Sequence, residues 1–163
     1  MFNLNKIDTA KYIAIDTETH DPRLKTHGPG GFRKDGFVAG ISFATDNGLN
    51  EYLPINHQGG GNLDKEKVIR YVYYIYNKCK EKRFPMIFAN AMYDVEWLYS
   101  LDNRLALTKS HRIYDVQTIE HLLDENKLKY SLDSLAKFYL RKSKYEVELE
   151  QAVMYRFGKR AKV

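Results

Sequence analysis

Two runs of residues suited to extended strands, FVAGISFAT (37–45) and LNEYLPI (49–55), are separated by Asp46-Asn47-Gly48. An Asn-Gly pair between such runs is the strongest short-range hairpin signal a sequence offers, because both central positions of the tight turn need positive φ. A third apolar run, YIAID (12–16), precedes this hairpin. The chain therefore opens with three antiparallel strands. The stretch between the first and second runs, DPRLKTHGPGGFRKDG (21–36), is rich in glycine and proline and reads as a loop.

From Asn62 the apolar period changes from strand to helix. Val68, Val72, Ile75 and Cys79 recur at helical spacing, NLDKE supplies a cap and an acidic first turn, and the helix is expected to end near Lys82. PMIFA (85–89) reads as a short buried strand, residues 93–101 as a helix, and RIYDV (112–116) as another short strand. Residues 117–123 and 131–140 are helical in pattern, the latter capped by Ser131. A three-stranded meander followed by alternating helices and strands gives an α/β mixed sheet flanked by helices. No internal repeat or linker divides the 163 residues, so one domain is expected.

The lone cysteine, Cys79, rules out an intramolecular disulfide and favours a reducing compartment. No run of about 18 apolar residues exists, and the first residues, MFNLNKIDTAKY, lack the basic and apolar regions of a signal peptide. A cytoplasmic location with no membrane association is expected. The formal net charge of +5 suits a polyanionic partner, and residues 137–163 carry eight Lys/Arg against three Glu. That segment reads equally as a solvated tail or as a phosphate-contacting surface.

The first strand continues into Asp16-Thr17-Glu18-Thr19. With period 2, residues 16 and 18 point to one face, about 6 to 7 Å apart. Two carboxylates so close oppose each other's ionisation unless a cation lies between them. A third carboxylate, Asp94, sits in FANAMYDVEWL, where Asn90 and Asp94 span the passage from strand end to helix start and the helix N-terminus favours negative charge. Each acid alone is as readily a turn or cap residue. Together at two strand ends, with no Cys/His cluster nearby, they suit hard cations, Mg²⁺ or Mn²⁺. Two such ions would orient a water, stabilise a leaving 3′-oxygen and serve phosphodiester hydrolysis.

IAIDTET, FANAMYD and YDVQTIEHLLDENKLKYSLDSLAKFYL together resemble successive blocks of the DnaQ-like, ribonuclease H-like (DEDD) 3′-5′ exonucleases. The similarity is greatest to the proofreading domains of Pol I family DNA polymerases of bacteria and phages. It implies a ribonuclease H-like mixed sheet, with shorter parallel strands added to the meander. It makes Asp16, Glu18 and Asp94 catalytic metal ligands for two Mg²⁺ or Mn²⁺ ions, with Asp16 bridging both. It also places Thr17, Asn90, Tyr93 and His57 at the substrate, and gives Asp115 a scaffold role. The implied partners are a single-stranded DNA 3′ end and a polymerase domain or subunit, in a bacterial or phage-infected cell. Tyr93, Trp97 and Phe32 are the aromatic side chains available to stack on bases.

The resemblance also implies a third motif, a Tyr or His followed four or five residues later by Asp, and no aspartate follows Asp133. Tyr145 precedes Glu146, Glu148 and Glu150, and Tyr155 precedes RFGKRAKV. Residues 1–163 are thus expected to be an exonuclease domain that stops short of its third-motif helix. Asp16, Glu18 and Asp94 would form a carboxylate cluster open on one side, with the second ion bound weakly or not at all, Glu148 or Glu150 being the candidate substitutes. Leu140, Val147, Leu149, Val153 and Phe157 are spaced to pack on the sheet. Two other functions fit the same residues: a catalytically inactive module that binds DNA or docks on a polymerase, and an RNA-directed nuclease with the same metal chemistry.

Overall fold

The computed structural model describes residues 2–142. Five strands, β1 (Ile13–His20), β2 (Phe37–Thr45), β3 (Asn50–Pro54), β4 (Pro85–Phe88) and β5 (Arg112–Asp115), form one sheet in the order β3-β2-β1-β4-β5. The first three are antiparallel neighbours, whereas β4 runs parallel to β1 and β5 parallel to β4. This is the α/β mixed sheet of a ribonuclease H-like fold. Asp46-Asn47-Gly48 makes the β2–β3 turn, with Gly48 at φ 80° and its N–H donating to the Thr45 carbonyl.

Six α-helices are described: α1 (Leu4–Thr9), α2 (Leu24–His27), α3 (Lys65–Lys82), α4 (Ala91–Leu101), α5 (Val116–Leu123) and α6 (Leu132–Leu140). Asp64 caps α3 by accepting from the Lys67 N–H, and Ser131 caps α6 by accepting from the Ser134 N–H. The apolar stripe of α3 is fully buried: Val68, Val72, Ile75 and Cys79 are each 0% exposed. It packs with Trp97 and Leu98 of α4 against Ile13, Ile15, Ile41, Phe43 and Met86 from one face of the sheet. Trp97 is 1% exposed, which corrects its candidacy as a base-stacking side chain; Phe32, at 66%, retains the exposure that stacking needs.

β1 extends four residues beyond the apolar run that announces it, because Thr17, Thr19 and His20 continue the pairing with β2. The helices α1 and α2 occupy segments whose short spans carry little periodic signal; Asn3 caps α1 by accepting from the Lys6 N–H. Leu140 is 65% exposed, contrary to the packing expected of it. Val147, Leu149, Val153 and Phe157, together with Tyr145, Glu146, Glu148, Glu150 and Tyr155, lie outside the described residues. Among the described residues no helix is long and apolar enough to cross a membrane.

Candidate active site

β1 is the switch point of the sheet, with an antiparallel neighbour on one side and a parallel one on the other. Its pairing with β4 involves only Ile13↔Met86 and Ala14↔Ile87, so the strand runs on past its parallel partner. Ligands of open α/β sheets bind at such places, beyond the carboxyl ends of the strands. Ile13, Ile15 and Thr17 face the core, and Ala14, Asp16 and Glu18 face the other way. Directly across from Asp16 stands Ser42, and across from Glu18 stands Gly40. The register shifts between Glu18 and Thr19, a bulge that ends the regular carboxylate row. On this side the described residues border a cavity of about 510 Å³, whose rim includes Asp16, Ser42, Tyr52, Ile87, Val116 and Leu132.

Asp94 meets β1 at Thr17. It sits in the first turn of α4, is 2% exposed, and accepts from the Thr17 N–H at 2.9 Å and the Thr17 hydroxyl at 2.7 Å. The Thr17 side chain, itself 7% exposed, therefore holds Asp94 and does not face the cavity with Asp16 and Glu18. Burial pushes the Asp94 carboxyl up to about 6, with the carboxylates of Asp16 and Asp115 adding to the rise and the Thr17 bonds opposing it. Among the described residues no three Asp, Glu, His or Cys side chains converge to hold a metal ion.

A raised carboxyl pKa has a direct consequence for stability. The native state binds the Asp94 proton more tightly than the unfolded chain does, so stability is full below the unfolded value near 4 and falls as pH rises to about 6. The cost at neutral pH is about 2 to 3 kcal/mol in metal-free protein. Asp94→Asn keeps an oxygen for Thr17 and removes the charge. In EDTA it is expected to melt with wild type at pH 4 and roughly 5 °C or more above it at pH 8. Thermal melts at the two pH values check this; an equal shift at both would contradict it.

Asn90 precedes α4 in the left-handed region at φ 68°, a conformation asparagine tolerates better than most residues, and its side chain makes no capping bond. Asp115 does the capping instead. Its Oδ1 accepts from the Asn90 N–H at 3.1 Å and its Oδ2 from the Ala91 N–H at 2.9 Å, and Oδ1 also accepts from Gln117 and Thr118 at the start of α5. Burial favours the neutral acid, but these four N–H groups outweigh it and hold the Asp115 carboxyl below its ordinary range. One carboxylate at the end of β5 thereby fixes two helix starts, α4 with its Asp94 included. Tyr93 shares a hydrogen bond of 2.6 Å with the Thr19 hydroxyl and meets Trp97 at 6.3 Å, so it ties α4 to β1.

His57 is exposed beyond β3, where its Nε2 is hydrogen-bonded to the Tyr52 hydroxyl. Tyr52 is the residue that sequence reasoning missed. The hairpin turn fixes Ser42↔Tyr52, and counting in register from Asp16↔Ser42 places Tyr52 on the carboxylate face.

Comparison with known proteins gives this geometry its family. Residues 3–160 match the family described as 3′-5′ exonuclease. The chain is 35% identical over 148 residues to a DNA-directed DNA polymerase of Pseudomonas phage M6, covering 89% of this chain and 21% of that protein. It is 28% identical over 148 residues to DNA polymerase I of Pseudomonas aeruginosa, covering 89% of this chain and 15% of that one. The fold is shared with Brucella melitensis NrnC with bound Mg²⁺ (TM-score 0.59, 15% identity, 88% of this chain and 60% of that one). It is also shared with the apo form of a nuclease (TM-score 0.60, 14% identity, 90% and 60%). The chain belongs to the DnaQ-like (DEDD) 3′-5′ exonuclease family, in the branch found in Pol I family polymerases. It spans about a fifth or less of the length of the polymerases it matches.

Proposed function

We propose that this chain is a metal-dependent 3′-5′ exonuclease domain that trims single-stranded DNA 3′ ends for a DNA polymerase. The observation that carries the reading is the placement of Asp16 and Glu18 side by side on the open face of β1, at the sheet's switch point, in a member of this family. Both polymerase relatives contain a segment similar to it, which supports a polymerase domain or subunit as partner.

The donor set suits a hard cation, since Asp16 and Glu18 offer oxygens only and Asp94 is bonded to Thr17, the residue between them. Asp16 and Glu18 would hold Mg²⁺ or Mn²⁺, with Asp94 acting on it through water. In the two-ion form the metal would supply an activated water and neutralise charge at phosphorus. The protein's own part is to hold the carboxylates in register. Thr17 fixes Asp94 and Asp115 fixes the helix that bears it, and Asn90 and His57 would face the substrate.

Calorimetric titration with Mn²⁺ tests the metal site. Wild type is expected to bind, and Asp16→Ala/Asp94→Ala to lose affinity at least about tenfold; equal affinity in the two would end the assignment. The want of three convergent ligands among the described residues favours a second reading, a module that binds DNA or docks on a polymerase without cutting. Metal-independent DNA binding with no cleavage is its signature.

A further inference from the structure

Tyr52 belongs to the cross-strand row that starts at Asp16 and passes through Ser42, so its side chain leaves the sheet on the carboxylate face. The ring leans along β3 over Gly40, where a methyl group would overlap its hydroxyl and its ring carbons. Gly40 is the residue directly opposite Glu18, and such partners stand about 4.5 to 5.5 Å apart. The phenol oxygen is thus brought over the neighbour of Glu18 by the absence of a side chain at position 40.

A polar clamp keeps it there. His57 Nε2 hydrogen-bonds to the Tyr52 oxygen, and the two rings meet edge-on with centroids 5.6 Å apart. His57 is in turn fixed by Asn62, whose Oδ1 accepts from the His57 N–H at 2.7 Å and whose Nδ2 donates to the His57 carbonyl at 2.9 Å. The loop between them contains Gly59, Gly60 and Gly61, and no atom lies within 4 Å of where a side chain would begin at any of the three. Tyr52 is 42% exposed, so burial does not explain why its hydroxyl is oriented.

A phosphodiester approaching Asp16 and Glu18 is repelled by both, and a neutral donor beside them offsets part of that repulsion. We infer that the Tyr52 hydroxyl, oriented by His57, donates a hydrogen bond to a non-bridging oxygen of the terminal phosphodiester. His57 is then a positioning residue: with its Nε2 proton given to the phenol oxygen, the phenol O–H is left for the substrate. Desolvation and the Glu18 carboxylate both raise the Tyr52 phenol, which keeps its proton at working pH. The inference rests on the exonuclease reading of the carboxylate face.

The test is a cycle between protein and ligand, using the full chain in Ca²⁺ and fluorescence anisotropy with three short single-stranded DNAs. One carries a natural terminal linkage; the others carry the two methylphosphonate stereoisomers, each with a methyl in place of one non-bridging oxygen. Tyr52→Phe and His57→Ala are each expected to weaken binding of the natural DNA about tenfold, and the double variant no further than about twofold beyond either. On the stereoisomer lacking the contacted oxygen, Tyr52→Phe is expected to cost less than about twofold. No loss with Tyr52→Phe, or the same loss on all three DNAs, overturns the inference while wild-type binding leaves the exonuclease reading standing. Wild type binding none of them would overturn both.

Discussion

Asp16→Ala is expected to lower the rate of 3′-end degradation by at least about 10³-fold, some 4 kcal/mol of transition-state stabilisation, with little change in melting temperature. Asp16 is exposed on the open face of β1, with the small Ser42 across from it, so truncation leaves no cavity in the core. What it removes is one of the two carboxylates that share that face, and a cation bound there would keep only Glu18 from the pair. The Asp16 carboxylate adds to the rise of the Asp94 carboxyl, so its removal is not expected to destabilise the fold. Initial rates on a 5′-labelled oligonucleotide in Mn²⁺, alongside a thermal melt, check it. A loss smaller than tenfold would remove Asp16 from the catalytic role.

The largest effect on stability is expected at Asp115. Its carboxylate accepts from the N–H groups of Asn90, Ala91, Gln117 and Thr118, so Asp115→Ala leaves the starts of α4 and α5 without their acceptor. The loss is expected to be about 3 kcal/mol, a fall of roughly 10 °C in melting temperature. Asp115→Asn keeps one acceptor oxygen and is expected to lose less. Because the folded carboxyl is held below its ordinary range, its contribution is present above that range and fades as pH falls through it. Denaturant unfolding at neutral and acid pH checks both statements; a neutral-pH loss under about 1 kcal/mol would show that water replaces the carboxylate at both helices.

Much of this architecture was legible because its signals are local. Asp46-Asn47-Gly48 sets the β2–β3 register, and the stripe Val68, Val72, Ile75, Cys79 marks the buried face of α3 without reference to anything distant. The parity of Asp16 and Glu18 follows from strand geometry alone. The partner of Asp94 does not. That depends on α4 packing into the core with Trp97 and Leu98, which leaves Thr17 as the nearest donor for the Asp94 carboxylate. Tyr52 escaped notice for a related reason: its place over Gly40 emerges only when two strand registers are combined, β1 with β2 and β2 with β3. Helix α1 spans six residues with one buried side chain, Ile7, too little for a period to show.

Polarity of degradation tests the central claim most directly. A 5′-labelled single-stranded DNA incubated with the full chain and Mg²⁺ or Mn²⁺ is predicted to yield a ladder that shortens one nucleotide at a time from the 3′ end, with Asp16→Ala leaving the substrate intact. Internal cuts, a ladder unchanged by Asp16→Ala, cleavage of RNA alone, or metal-independent binding without any cleavage would contradict the assignment of the β1 carboxylates to a 3′-5′ exodeoxyribonuclease site.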